Sequence, residues 1–263
     1  GITGILGTNG CGKTTLLRII AGLLPADNGG MVYKSKPVDT ESAAWREKIG
    51  YLPQTPGLYP QMTVGGYLDY MLLLSAWKIK SERKNRIMYV ARQFNLGEFL
   101  EKPIGKMSTG IRQQVAIAQA LIHDPEIVLL DEPGNNLDME SRSRLHHLLL
   151  TEYAEKIILY IGHLVEEFGS LATQILILKD ANIRFSGCPG ALPGLMNGKI
   201  REVKIACRAF SKIGLKADQV LRIEKTGHDF LVRFDSSRFD YPGSHPVIPS
   251  IGEAYQSYNA SGS

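Results

Sequence analysis

Residues Gly7-Thr8-Asn9-Gly10-Cys11-Gly12-Lys13-Thr14 lie between a short apolar run, Ile2–Leu6, and a segment whose Leu16, Leu17 and Ile20 recur at helical spacing. A glycine, four residues, a glycine, a lysine and a hydroxyl side chain, set between a strand and a helix, leave a chain few folds to choose from. Glycines let backbone N–H groups turn inward, and the helix N-terminus adds its partial positive charge, so the loop can cradle phosphates. Lys13 is then placed to reach the β- and γ-phosphates of a nucleotide, and the Thr14 hydroxyl to ligate Mg²⁺. Gly7, Asn9, Gly10, Cys11, Gly12 and Thr15 complete the expected ATP contacts. A tight turn alone could use such glycines, but the strand-loop-helix context favours the phosphate loop. Within it, Cys11 reads as a tolerated small side chain rather than a redox sensor.

A second apolar run, Ile127–Leu130, ends in two carboxylates, Asp131 and Glu132. Asp131 is positioned to hold Mg²⁺ through water and Glu132 to polarise an attacking water as a general base. Paired acids at a strand end can also cap a helix or sit on a solvated edge; a phosphate loop in the same chain favours the chemical role.

Between and beyond these motifs the period of the apolar residues changes. Strands are expected at Met31–Lys34, Ile49–Leu52, Ile157–Ile161, Gln174–Leu178 and Ile183–Phe185, and helices at Met139–Tyr153 and Leu164–Leu171. Helical patterns fill Gln61–Asp124: Val64–Trp77, Glu82–Phe94 and the stripe Ile111, Val115, Ala118, Ile122. Strands alternating with helices imply an α/β fold with a mainly parallel sheet and an inserted helical subdomain. After Gly187-Cys188-Pro189-Gly190, Val203/Ile205 and Phe230/Val232/Phe234 alternate as strands do, with Thr226-Gly227 as their turn, so a small α+β extension is expected. Ser261-Gly262-Ser263 is expected to fray.

Composition adds bounds rather than a function. A formal charge of +4 is too weak to indicate a nucleic-acid or membrane partner. Three cysteines without ligand spacing suit a reduced, cytosolic setting. No apolar run reaches the roughly 18 residues that span a bilayer, Met71–Leu74 being too short and reading instead as packing for the insertion's core, and nothing at the N-terminus reads as a signal peptide. His123, His146 and His147 read as surface or packing residues. The basic stretch Lys78, Lys80, Arg83, Lys84 and Arg86 reads as a solvated face.

The order of motifs from Gly7 to about Gly187 resembles the ATP-binding subunits of ABC transporters. Tyr51-Leu52-Pro53-Gln54 resembles the Q-loop, Met107-Ser108-Thr109-Gly110-Ile111 stands in the place of the Leu-Ser-Gly-Gly-Gln signature, Asn136-Leu137-Asp138 resembles the D-loop, and His163 matches the switch histidine. The resemblance implies that Gln54 contacts Mg²⁺ and the attacking water and that His163 contacts the γ-phosphate. It also implies that Ser108, Gly110 and Asp138 complete the ATP site of a second ATPase subunit, identical or different, closing head to tail. Leu58–Val64 and Pro249–Tyr255 are similar to segments of bacterial exporters whose ATPase is a separate polypeptide. The implied partner is therefore a transmembrane permease docked near Gln54 and the helical insertion, with the ATPase cytoplasmic and peripheral on the inner face of the plasma membrane.

That frame gives an ATP-binding domain at 1–190, with its helical subdomain at about 61–124, and a C-terminal extension at 191–263. No nucleic acid is expected as a partner. The family also places two strands and an adenine-stacking aromatic ahead of the phosphate loop; this chain starts at the loop's own strand, and we expect it to be a fragment. Thr109 and Ile111 depart from the signature, and Gly134-Asn135-Asn136 departs from the usual Thr-Ser-Gly, so the expectation is either slow hydrolysis or pairing with a better-matched subunit. The alternatives are an ABC ATPase acting on ribosomes or DNA and a weakly hydrolytic regulatory subunit.

Overall fold

The computed structural model describes residues 1–163, 165–210 and 219–260. In chain order the strands and helices are β1 (Ile2–Gly7), α1 (Lys13–Ile20), β2 (Met31–Tyr33), β3 (Lys36–Val38), α2 (Ala43–Arg46), β4 (Ile49–Leu52), α3 (Val64–Leu74), α4 (Lys80–Gln93), α5 (Thr109–Leu121), β5 (Ile127–Asp131), α6 (Met139–Thr151), β6 (Ile157–Ile161), α7 (Val165–Leu171), β7 (Gln174–Lys179), β8 (Asn182–Gly187), α8 (Leu192–Leu195), β9 (Ile200–Ala206), α9 (Cys207–Phe210), β10 (Val220–Thr226), β11 (Asp229–Asp235), β12 (His245–Pro246) and α10 (Ile251–Ala260). Among the described residues no helix is long and apolar enough to cross a membrane.

Two compact units divide the chain, Gly1–His163 with Leu176–Arg184, and Leu164–Ile175 with Phe185–Ser263. Residues 164–175 and 185–190, read from sequence as part of the first domain, thus group with the C-terminal residues. The expected fraying of 261–263 and the expected helix residue Leu164 lie outside the described residues.

A six-stranded sheet in the order β4-β5-β6-β1-β7-β8 organises the first unit. β4, β5, β6 and β1 run parallel, with Leu52 opposite Leu130, Leu130 opposite Tyr160 and Ile5 opposite Ile161. β5 lies at their centre and every residue of it is buried, as a parallel strand covered on both faces must be. Ile127, Val128, Leu129 and Leu130 each contribute about 1.5–3 kcal/mol by leaving water. Leu17 of α1 is fully buried against Ile5, Leu129 and Ile161. α5 packs on β4 so closely that a Cβ at Gly50 would lie 1.9 Å from the Ala120 carbonyl oxygen. Only glycine permits that approach.

Several details differ from expectation. The strand at Met31 pairs with an unforeseen neighbour, β3, through a turn in which Lys34 and Ser35 both have positive φ. The short helix α2, capped by the Ser42 hydroxyl, was equally silent. Arg83 and Arg86 do not form a solvated face: Arg83 is buried and bonded to Asp69 and to the Trp77 and Lys78 carbonyls. Arg86 donates to the Leu121 and Ile122 carbonyls at the end of α5, where a cation offsets the helix dipole. Of the Met71–Leu74 run, Leu72 is buried but Leu73 and Leu74 are exposed. In keeping with the sequence reading, His123 bonds the Ile49 carbonyl and His146 packs edge-on against Tyr160, both packing roles.

In the second unit, β10-β11-β9-β12 form an antiparallel sheet whose core is Val203, Ile205, Val232 and Phe234, the alternation read from sequence. The β10–β11 turn is Gly227-His228, one residue later than expected, because Thr226 pairs with Asp229. α10 packs on α7 and α8 and begins with a capping box, Ser250 and Glu253 exchanging side-chain and backbone hydrogen bonds.

Candidate functional site

Parallel register brings the carboxyl ends of four strands to one edge of the sheet. β1 ends at Gly7, β4 is followed by Pro53 and Gln54, β5 ends at Asp131, and β6 is followed by Gly162 and His163. Ligands of open α/β sheets bind beyond such ends. A cavity of about 340 Å³ lies there, lined by Asn9, Gly10, Gly12, Lys13, Thr14, Thr15, Gln54, Glu132 and His163.

The loop's shape follows from its glycines. Gly10 and Gly12 have φ of 80° and 103°, left-handed values that glycine adopts without strain, and Gly12 caps α1. Gly7 closes β1. Lys13 is 6 % exposed, and its Nζ donates to the Gly7 and Thr8 carbonyls at 2.8 and 2.9 Å, so its charge is fixed over the loop. Cys11 turns away from the cavity and is buried in the core with Ile5 and Leu17.

Asp131 is 1 % exposed, and neither carboxylate oxygen makes a hydrogen bond of good geometry, although the Thr14 hydroxyl is close enough to act on it. Burial pushes its carboxyl above the usual range, against the pull of the nearby Thr14 hydroxyl and the Lys13 and Arg18 charges. A buried carboxylate so placed is suited to a cation. Among the described residues no three His, Cys, Asp or Glu side chains converge as a metal site.

Glu132 turns the chain at φ 54°. Its Oε1 lies 2.7 Å from His163 Nε2, and its Oε2 accepts from Asn135 Nδ2 at 2.6 Å. Asn135 was not singled out from sequence as a site residue. The signal available was a Glu-Pro-Gly-Asn turn, which returns the fourth residue to the first.

The signature and D-loop residues lie apart from this cavity. Ser108 caps α5, its hydroxyl accepting from the Ile111 N–H; Asp138 caps α6, and the Ser141 N–H holds its carboxyl below the usual range. Gly110 neighbours the Asn136 carbonyl, 3.1 Å from where a Cβ would sit. Thr109, Arg112, Gln113 and Asn136 line a second cavity of about 300 Å³ together with Thr55 and Leu58.

Residues 1–135 match the ABC transporter family. The chain is 35% identical over 188 residues to the ABC transporter ATP-binding protein NatA of Bacillus subtilis, covering 71% of this chain and 76% of that one. It is 32% identical over 222 residues to an uncharacterized ABC transporter ATP-binding protein of the same organism, YhaQ, covering 83% and 68%. Among solved structures it is similar to cbiO1 of Clostridium perfringens, part of the ABC transporter complex cbiONQ, at 26% identity and TM-score 0.64 over 73% of this chain and 78% of that one. The ATP-binding cassette MJ0796, solved as a dimer bound to ADP and phosphate, matches at 26% identity and TM-score 0.65 over 71% and 84%. With a phosphate loop, an acidic strand end and a sheet edge that gathers them, this chain belongs to the ABC transporter family as an ATP-binding subunit with ATPase activity.

Proposed function

We propose that this ATPase powers export through a separate membrane subunit, working from the cytoplasmic face as one of two ATPase subunits that close head to tail over two ATP molecules. The observation that carries the reading is the convergence of Lys13, Thr14, Gln54, Glu132 and His163 on one cavity at the sheet's carboxyl edge. The dimeric form of MJ0796 supports the pairing, and the membership of cbiO1 in a transporter complex supports a membrane partner. Export direction rests on Leu58–Val64 and Pro249–Tyr255. The cavity that Thr55 and Leu58 share with the start of α5 is where a permease segment would press. The ATP-binding domain is assigned to 1–190, with helical subdomain 61–124, and 191–263 to the extension.

In this reading Asn9, Gly10, Cys11, Gly12, Lys13, Thr14 and Thr15 wrap the phosphates with backbone N–H groups, the α1 N-terminus and the Lys13 ammonium. Thr14, Gln54 and Asp131 would hold Mg²⁺, and the unbonded Asp131 oxygens fit that duty. Mg²⁺ commonly takes few protein ligands and completes its shell with water and phosphate oxygens, which suits so small a protein set. When bound it neutralises charge on the β- and γ-phosphates. Glu132 takes the proton of the water whose oxygen attacks the γ-phosphorus, as the bond to the β-phosphate oxygen breaks and ADP leaves. His163 holds the γ-phosphate, and Ser108, Gly110 and Asp138 complete the partner's site.

Glu132→Gln tests the assignment. The variant should bind ATP, accumulate as an ATP-held dimer in gel filtration, and lose about a hundredfold or more in turnover. Unchanged turnover would remove Glu132 from the chemistry.

A further inference from the structure

Glu132 carries a flexible side chain on a left-handed backbone, and a general base is useful only if its carboxylate is held at one angle to the water it activates. Two donors meet it, one per oxygen: His163 at Oε1 and Asn135 at Oε2. Both residues are exposed, and what differs is how their backbones are anchored. The His163 side chain is 49% exposed and follows β6 on a short link. Asn135 stands at the end of a turn, its N–H bonded to the Glu132 carbonyl at 3.1 Å. Pro133 is buried, and its carbonyl accepts from Gln113 of α5 at 3.1 Å. The Gly134 carbonyl accepts from Arg142 of α6 at 3.2 Å. Each carbonyl from 132 to 134 is therefore held, two of them by side chains of flanking helices.

We propose that Asn135 is the positioning residue of Glu132: its Nδ2–H fixes Oε2 throughout the cycle, leaving Oε1 to exchange His163 for the proton of the attacking water. The inference rests on Glu132 being the base. Its physical ground is that an amide donor on a carboxylate is charge-assisted and directional, while a turn with its carbonyls held from α5 and α6 carries the donor back to Glu132. Asparagine supplies a donor with no charge of its own. The base keeps its negative charge, whereas a lysine there would neutralise it.

The test is a double-mutant cycle on the full chain, with ATP as the probe and kcat, KM and melting temperature as readouts. Asn135→Asp keeps the shape and replaces the donor with an acceptor; Asn135→Ala removes it and serves as the second variant if the first folds poorly. Each should lower kcat about tenfold or more while KM for ATP stays within about twofold, since the loss falls on the transition state. In the Glu132→Gln background the same substitutions should change residual single-turnover hydrolysis by less than about twofold, because groups acting as one unit are not additive. Equal losses in both backgrounds would show that Asn135 acts on something other than Glu132, and a loss of ATP binding in step with melting temperature would reduce it to a structural residue. Either result overturns the proposal, as does kcat within twofold of the parent. If Glu132→Gln is slow and both Asn135 variants are fast, only this proposal falls; if Glu132→Gln is itself fast, the base assignment falls and takes the proposal with it.

Discussion

Asp131 should cost the nucleotide-free protein stability, and Asp131→Asn should recover it. The carboxylate is 1 % exposed with neither oxygen bonded, and burial raises its pKa. An unsatisfied buried polar group costs about 1–3 kcal/mol, more when charged. The amide removes the charge but leaves two polar atoms, and the Thr14 hydroxyl, with the attraction of Lys13 and Arg18, already offsets part of the penalty. A net gain of about 1–2 kcal/mol follows, equal to roughly 2–8 °C in melting temperature for a unit of this size. For an acid whose folded pKa is raised, the native state binds the proton more tightly. The penalty is then absent below the ordinary aspartate range and complete above the raised value. The gain should accordingly be present at pH 7 and shrink as pH falls toward 4. Thermal melts in chelator, with and without ATP-Mg, measure it, alongside an ATPase assay in which the same variant is dead. A melting temperature at or below that of the parent at pH 7 would refute the reasoning, because the charge would then be balanced by something other than a bound cation.

Glu126 makes the opposite case: Lys34, then Lys48 and Tyr33, hold its carboxyl down at about 2. Its contribution is present above the ordinary glutamate pKa and lost as pH falls through about 2, so Glu126→Gln should lower the melting temperature at pH 7 and converge with the parent near pH 2. Because Lys34 and Glu126 are exposed, the effect at pH 7 should stay below about 1 kcal/mol; a difference that persists unchanged at low pH would contradict the assignment. Gly50→Ala forces a Cβ to 1.9 Å from the Ala120 carbonyl and should cost about 3 kcal/mol or more by separating α5 from β4. A denaturation midpoint equal to the parent's would mean that the strand and helix are not in that contact.

What could be read from sequence was local. The phosphate loop and the buried strand ending at Asp131 each announce themselves within a dozen residues, and the helical insertion through the period of each of its segments. Turns made without their usual residues were not legible. Lys34-Ser35 and Asp180-Ala181 close hairpins with both central residues at positive φ, where glycine or asparagine is the usual signal. Nor does a charge run reveal which of its arginines turn inward: Arg83 and Arg86 do so because helix ends and Asp69 wait for them on other elements. The bond from Asn135 to Glu132 depends on a turn whose carbonyls are held from α5 and α6, so it emerges only once those helices are in place.

Both departures in the signature lie in the first turn of α5. In the proposed head-to-tail pair the cavity residues of one subunit would meet the α5 N-terminus of the other, so Thr109 and Ile111 would alter the half-site this chain gives away and leave intact the one it keeps. Ser108 accepts from the Ile111 N–H with a lone pair, and its O–H remains available to donate to a phosphate. The first N–H groups of α5 belong to the backbone and persist whatever side chain follows Ser108. What threonine adds is bulk on an exposed first turn, beside the Gly110 that stays small where the chain runs against Asn136. A homodimer would carry that bulk at both sites. A heterodimer with a glycine-bearing partner would carry it only over the partner's ATP, and this chain's own site, with Asn135 behind Glu132, would be the unobstructed one.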